Sequence, residues 1–339
     1  MSRGLNDQTS RPVVVTGGAG YVGSHACKAL AAAGYLPVAV DDLRRGHDWA
    51  VQWGPLERVD LRDRMALDAV FAHHRPVAVM HFAAFAYVGE SVTEPLAYHE
   101  NNVGGLLALL DVAGRHGVHP IVFSSSCAVY GEPETPRLRE DHRRRPVNPY
   151  GATKMMCERI LEDCAATGAL TAVSLRYFNA AGADPDGEIG EWHDPETHLI
   201  PLAIRAAVDE GFRLNVYGSD YPTADGTAVR DYVHVADLAA AHVKALDYLL
   251  AGGDTVALNL GTGAGHSVRE VVAATETALG RPVKTVDAPR RPGDPPALVA
   301  DAARATALLD WRPNWTDFAA IVASAARWYT TGATIRGAV

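Results

Sequence analysis

Pro12-Val13-Val14-Val15-Thr16-Gly17-Gly18-Ala19-Gly20-Tyr21-Val22-Gly23 is an apolar, β-branched run that breaks abruptly into glycines, and a helical pattern follows through Ala33. Strand, glycine loop and helix in this order form a phosphate-binding βα turn. The glycines permit a tight turn and close backbone approach, and the helix N-terminus faces a pyrophosphate. Gly17, Gly20 and Gly23 satisfy GxxGxxG, while Gly18, Gly20 and Gly23 satisfy GxGxxG, so both spacings of dinucleotide-binding folds stay open. Gly17, Gly20, Tyr21, Val22 and Gly23 are the first candidate cofactor contacts.

The next strand, Leu36 to Val40, ends in Asp41-Asp42-Leu43. An acidic side chain about 20 residues beyond the loop can accept from both ribose hydroxyls of an adenosine and repels a 2′-phosphate. This favours NAD over NADP, with Arg44 and Arg45 as the nearby cations that argue the other way. Strand and helix patterns then alternate: a strand near Leu56 to Val59, a helix from Arg64 to His73, a strand from Val77 to Phe82. Repeated βα units of this length predict an α/β fold built on a doubly wound, Rossmann-type parallel sheet. Its strand ends supply further candidates, Asp60-Leu61 against an adenine and Phe82-Ala83-Ala84, where small residues let backbone run along a cofactor. From Pro95 a helical pattern runs to Arg115 with Asn101 and Asn102 ahead of its apolar stripe.

With 48% apolar and 21% charged residues in 339, the chain has the composition of an ordinary globular protein able to bury a large core. A net charge of -9 speaks against a nucleic-acid partner. Cys27, Cys127, Cys157 and Cys164 show neither CxxC spacing nor disulfide density, as expected in a reducing cytoplasm. No apolar run suggests a membrane span or a secretory leader. No metal is expected: His73, His74 and His81 share no ligand spacing with other residues and read as solvated or core side chains. Arg143-Arg144-Arg145 reads as a solvated run.

Two more stretches carry chemistry. The strand Pro120 to Phe123 ends in Ser124-Ser125-Ser126, hydroxyls at the carboxyl end of a parallel strand where ligands bind. Tyr150-Gly151-Ala152-Thr153-Lys154 sets a phenol and an ammonium on one helical face. A lysine there favours the phenolate, which predicts a tyrosine pKa lowered towards neutral and usable as a general base.

The glycine loop, the serine strand end and Tyr150-xxx-Lys154, in that order, resemble the extended short-chain dehydrogenase/reductase family. Val88-Gly-Glu-Ser91, Arg176-Tyr-Phe-Asn-Ala-Ala-Gly182, Asp225-Gly-Thr-Ala-Val-Arg-Asp-Tyr-Val-His234 and Arg290-Arg-Pro-Gly-Asp294 narrow the resemblance to its UDP-glucose (UDP-galactose) 4-epimerases, over about residues 12 to 330. The resemblance implies tightly bound NAD and a UDP-sugar substrate, with Ser126 bonded to the sugar hydroxyl and Tyr150 as base. Lys154 would tune that base and bind the nicotinamide ribose. Asn101, Ser124 and Tyr177 would join the cofactor site, with Tyr177 and Phe178 flanking the nicotinamide. Asn179, His198, Leu199, Asn215, Val216, Tyr217, Arg230, Arg291 and Asp294 would hold the UDP, and Leu298 occupies the sugar-gate position. It also implies a first domain over 1–180 to which 229–262 returns, and a smaller mixed α/β lobe from 181–228 and 263–330 that binds the UDP-sugar. A homodimer through a four-helix bundle would use the helices around Pro95–Arg115 and Tyr150–Ala166.

Related dehydratases carry an Asp-Glu pair just after the first catalytic hydroxyl. Here those positions are Cys127 and Ala128, so the groups for eliminating water are missing. A non-catalytic NAD sensor would have no need of Ser126, Tyr150 and Lys154 together. The sugar is open: Phe82-Ala83-Ala84-Phe85-Ala86-Tyr87 lacks the lysine common in galactose enzymes and resembles UDP-xylose and UDP-arabinose epimerases as well. Leu298 is intermediate between a bulky gate and a small one, which leaves room for a UDP-N-acetylhexosamine and suggests relaxed specificity.

Overall fold

A computed structural model describes residues 11–291 and 294–335. Among the described residues the large sheet is parallel throughout and has seven strands. They are β1 (Arg11–Thr16), β2 (Tyr35–Val40), β3 (Leu56–Glu57), β4 (Ala78–His81), β5 (Pro120–Ser126), β6 (Thr171–Tyr177) and, after three strands that lie outside this sheet, β10 (Val256–Leu260). Their spatial order is β10-β6-β5-β4-β1-β2-β3, so the winding reverses between β1 and β4. Ligands in open α/β sheets bind outside the carboxyl ends at such a reversal.

Buried strands alternate their side chains between two cores. Val13 and Val15 face one, packed with Leu30 of α1 (Tyr21–Ala32) and with Leu238 and Leu246 of a later helix, α8 (Val235–Leu250). Val14 faces the other, with Leu67 and Phe71 of α2 (Arg64–His74), Leu109 of α5 (Gly104–Arg115) and Leu161 of α6 (Pro149–Ala166). Leu30 and Leu67 are fully buried, each contributing about 1.5–3 kcal/mol relative to exposure. Between α2 and α5 lie α3 (Val88–Thr93), α4 (Pro95–Tyr98) and a π-helical turn, His99–Val103, so the expected long helix is continuous but locally widened.

The second lobe starts after β7 (Asn179–Ala181) and holds α7 (Leu199–Val208), β8 (Leu214–Tyr217), β9 (Val229–His234), β11 (Gly265–Ser267), α9 (Val268–Leu279), β12 (Thr285–Ala288), β13 (Ala297–Leu298) and α11 (Phe318–Ile335). β9 pairs with β7, β11 and β13, while β8 pairs with β12. α7, α9 and α11 form its core around Ile204, Val271 and Val322. The lobes interleave: α8 and β10 join the large sheet, and α10 (Ala303–Leu309) with Trp311 packs on the first core. Among the described residues, no helix is long and apolar enough to cross a membrane.

Candidate active site

Sheet register brings the candidate residues to one edge. Thr16 pairs with Val40 and His81, and His81 with Phe123, so the glycine loop, Phe82 and the three serines leave the sheet side by side. Ser126 lies level with Tyr177. The loop folds tightly because it has no side chains: Gly17 has φ +72°, and a Cβ there would lie 2.6 Å from the Ala83 nitrogen. A Cβ on Gly23 would lie 2.1 Å from the Gly17 oxygen. At Gly20 the nearest atom to such a Cβ is 3.3 Å away, so this glycine leaves the outer side of the loop open. Gly20 is also the N-cap of α1, and neither a capping side chain nor an acidic residue occupies that first turn. Amides before the first helical bond, Ser24 N to Gly20 O, thus suit an anion.

Asp41 is fixed at the end of β2 by hydrogen bonds from the Ala19 amide (3.1 Å) and the Leu43 amide (2.9 Å). Burial raises its pKa and these amides oppose the rise. Arg44 pairs with Asp42 and Asp60, and Arg45 with Glu90, so both cations that could have served a 2′-phosphate are held by carboxylates. Asp60 itself is gripped by Arg62, which lowers its pKa to about 2. A glycine cradle, an open helix terminus and a half-buried carboxylate at the end of β2 are what a dinucleotide requires, and the residues present fit NAD.

Tyr150 enters this edge from the first turn of α6. Asn148 caps the helix by accepting from the Gly151 amide (2.8 Å), and Pro149 fits the first helical turn. Gly151 lets the helix press on the turn after β5, since a Cβ there would lie 2.5 Å from the Ala128 carbonyl oxygen. The Tyr150 phenol is thereby set beside Ser126, near enough for the serine to act on its pKa. Lys154, 3% exposed, points inward on the same face, donating to the Ser124 carbonyl (2.8 Å) with its ammonium 5.9 Å from the Tyr150 ring centre. Ser124 Oγ and the Tyr177 hydroxyl are 2.6 Å apart.

The electrostatics correct the sequence expectation. Burial drives the Tyr150 pKa up, neighbouring Tyr177 adds to the rise, and the Ser126 hydrogen bond only partly opposes it. Lys154 is itself lowered to about 8 by burial. Desolvation therefore dominates at the phenol, and an acidic phenol is not produced by Lys154 alone.

The remaining candidates fall into separate groups. Phe178 and Cys127 cluster with Leu298 beside the turn that follows β5. Leu298 pairs with Arg230, whose guanidinium is bonded to Asp294 and to the Val229 carbonyl. Asn215 and Tyr217 sit on β8 around buried Val216, with Arg291 stacked 4.0 Å over the Tyr217 ring. Asn179 begins β7 and Leu199 begins α7. The His198 imidazole turns away to Glu191 and Glu196, 2.9 Å from each. Asn101 is half-buried and bonds to its neighbour Asn102 (3.0 Å), which binds both backbone groups of Phe85 and the Thr153 hydroxyl. Tyr21 donates to the Gly182 carbonyl (2.6 Å), tying the glycine loop to the second lobe.

Three features escaped the sequence reading. Glu158 is 1% exposed and binds Ser125 (2.5 Å) and, through both oxygens, Arg176 (2.8 and 2.7 Å). Its spacing from Lys154, one helical turn on along the inward face, was the available signal. Arg144 is not a solvated charge but bridges Glu158 and Glu162. Glu191, His193, Glu196 and His198 converge between the lobes.

Comparison with known proteins agrees with this geometry. Residues 13–261 match the NAD dependent epimerase/dehydratase family. The chain is 54% identical to the UDP-glucose 4-epimerase of Rhizobium meliloti (strain 1021), covering 94% of this chain and 97% of that protein. Its fold superposes with TM-score 0.91 on the UDP-glucose 4-epimerase of Brucella ovis in complex with NAD, at 49% identity over 94% of this chain and 98% of that one. It also superposes, with TM-score 0.92 at 39% identity over 96% and 99%, on the Stenotrophomonas maltophila UDP-glucose 4-epimerase with bound NAD and formylated UDP-arabinopyranose.

Proposed function

The chain belongs to the NAD dependent epimerase/dehydratase family, and from that premise we propose that it inverts C4 of a UDP-sugar, UDP-glucose to UDP-galactose and back, with Tyr150 as the proton-transferring group. The observation that carries the proposal is Tyr150 on the first turn of α6 beside Ser126, with Lys154 buried behind it and 5.9 Å from its ring centre, at the same sheet edge as the glycine loop.

Gly17, Gly20 and Gly23 with the α1 terminus would hold the pyrophosphate of NAD, and Asp41 an adenosine ribose. Lys154 and Tyr177 would lie at the nicotinamide end. When bound, NAD supplies a positively charged ring and a reversible hydride acceptor, which turns the C4 carbinol into a ketone and back. Everything else falls to the chain. Ser126 positions the sugar hydroxyl and Tyr150 removes its proton, later returning it from the same oxygen. Because burial holds the phenol proton tightly in the cofactor-free site, proton transfer needs added positive charge, so the base is armed only when the site is filled.

Inversion demands that the sugar turn over while its nucleotide stays fixed. Arg230 and Arg291 suit the diphosphate because a planar, permanently charged fork matches phosphate oxygens. Arg230 keeps donors free beyond those given to Asp294 and Val229. Around the sugar the walls are apolar and modest in size, Phe178 and Leu298, which leaves the ring loosely held. The same walls support the further reading that UDP-xylose or UDP-arabinose and UDP-N-acetylhexosamines are accepted.

A homodimer fits the apolar residues left on the outer faces of the helices named for a bundle, Leu107 on α5 (46% exposed) and Met156 on α6 (41% exposed). Light scattering on the purified chain should give twice the monomer mass. The function is tested by incubating the protein with UDP-glucose without added cofactor. UDP-galactose should form, and initial rates with UDP-N-acetylglucosamine and UDP-xylose rank the sugars. NAD-loaded protein with no turnover on any UDP-sugar would instead make it a sensor.

A further inference from the structure

The segment between β7 and α7 carries Glu191-x-His193-x-x-Glu196-x-His198, and its four side chains fold onto one point. One ligand-capable atom from each lies within 4.8 Å of all the others. The His198 Nδ1 is 2.9 Å from Glu191 Oε1 and 2.9 Å from Glu196 Oε1, while the His193 Nδ1 is 3.4 Å from an oxygen of each glutamate. Two imidazole nitrogens and two carboxylate oxygens about 2.0–2.2 Å from a tetrahedral ion stand about 3.3 Å apart, the middle of this range. The His193 Nδ1 is buried and makes no hydrogen bond among the described residues. We propose that Glu191, His193, Glu196 and His198 form a four-ligand site for a divalent transition ion of the zinc class, which clamps the connection between the lobes.

Charge balance supports this. Each imidazole lies within 3.4 Å of an oxygen of both Glu191 and Glu196, so the two carboxylates share one small space with the two rings. Two carboxylates in a closed space demand two positive charges, which either two protons or one divalent ion can supply. Binding is then an exchange: the ion enters, both Nδ1 protons leave, and the cluster stays neutral. Among the described residues, the groups facing the cluster from other elements are phenols and not competing cations: Tyr21 of α1, Tyr87 ahead of α3, and Tyr329 of α11, whose hydroxyl reaches Glu196 Oε2 at 3.3 Å. His25 lies behind Tyr21, and Arg45 stacks on Tyr87 while paired to Glu90. Softness selects the ion, since imidazole with carboxylate suits zinc, cobalt or iron better than calcium or magnesium. With all four positions filled by protein the site is structural, tying the glycine loop, through Tyr21, to the start of the UDP lobe.

The test does not read sugar turnover, so it stands apart from the proposed reaction. Tag-free full-length protein is treated with chelator, dialysed and titrated at pH 8 with zinc sulfate or cobalt chloride. One ion per chain is expected, the cobalt form showing the strong visible absorption of a four-coordinate site. His193→Gln and Glu196→Gln should each weaken uptake by about 100-fold or more, and lowering the pH by one unit should weaken wild-type binding by up to about 100-fold as two protons compete. Should either variant lose its native far-ultraviolet spectrum, the wild-type cobalt spectrum and pH dependence decide. No stoichiometric uptake, a weak octahedral spectrum, pH-independent affinity, or folded variants that bind as wild type would overturn the site and leave the four residues as an ion-pair cluster.

Discussion

Gly151→Ala adds one methyl group at the point where α6 touches the turn after β5. That carbon would sit 2.5 Å from the Ala128 oxygen and 3.0 Å from Pro146 Cβ, against the 3.4 Å at which ordinary contact begins, so α6 must retreat by up to about 0.9 Å. Tyr150 is the adjacent residue, and its phenol is set beside Ser126 across that interface. A shift of about 1 Å in a reacting group costs on the order of 100-fold in rate. Overpacking costs about 1–3 kcal/mol, while alanine in place of glycine within a helix returns up to about 1 kcal/mol. The variant should therefore fold, lose only a few degrees in Tm, and show kcat lowered on the order of 100-fold with KM little changed. Gly114→Ala in α5 is the control: nothing lies within 4 Å of its added carbon, so it should gain about 0.5–1 kcal/mol and keep full activity. Wild-type kcat in Gly151→Ala, with native stability, would refute the argument that this contact sets the position of the phenol.

Two other outcomes follow from buried charge. Glu158→Ala leaves Arg176 buried without its carboxylate partner and removes the bond to Ser125, so a loss of about 3–5 kcal/mol is expected in urea denaturation, and a loss under 1 kcal/mol would contradict it. Lys154 has a folded-state pKa of about 8 against 10.5, so in the cofactor-free chain its ammonium costs about 3 kcal/mol below pH 8, and the cost fades as pH rises towards 10.5. Lys154→Met should keep or raise the Tm at pH 7, abolish the gain in stability between pH 8 and 10 due to this group, and lose turnover; a Tm many degrees lower at pH 7 would show that the lysine is net stabilising.

What the chain disclosed in advance was local. The glycine loop, the acid at the end of β2, the serines ending β5 and the Tyr150–Lys154 spacing each lie within one or two elements, where backbone geometry and side-chain period follow from neighbouring residues. Features made by distant residues were not legible. Arg144 reads as one of three solvated arginines because its partner Glu158 lies in the next helix. The pairing of β9 with β7, β11 and β13 joins strands far apart in sequence. The π turn at His99–Val103 shifts hydrogen bonds by one residue without disturbing the apolar pattern. The sign of the Tyr150 shift could not be read from spacing, since desolvation depends on all that surrounds the ring.

The central claim is that Tyr150 moves the proton while other groups bind. Tyr150→Phe removes one oxygen atom and leaves the ring that packs beside Lys154. The most direct measurement is the rate of UDP-glucose to UDP-galactose conversion by this variant, alongside its NAD content and its affinity for UDP. The account predicts turnover lower by about 100- to 10,000-fold with NAD and UDP still bound. Turnover near that of the wild type would contradict it.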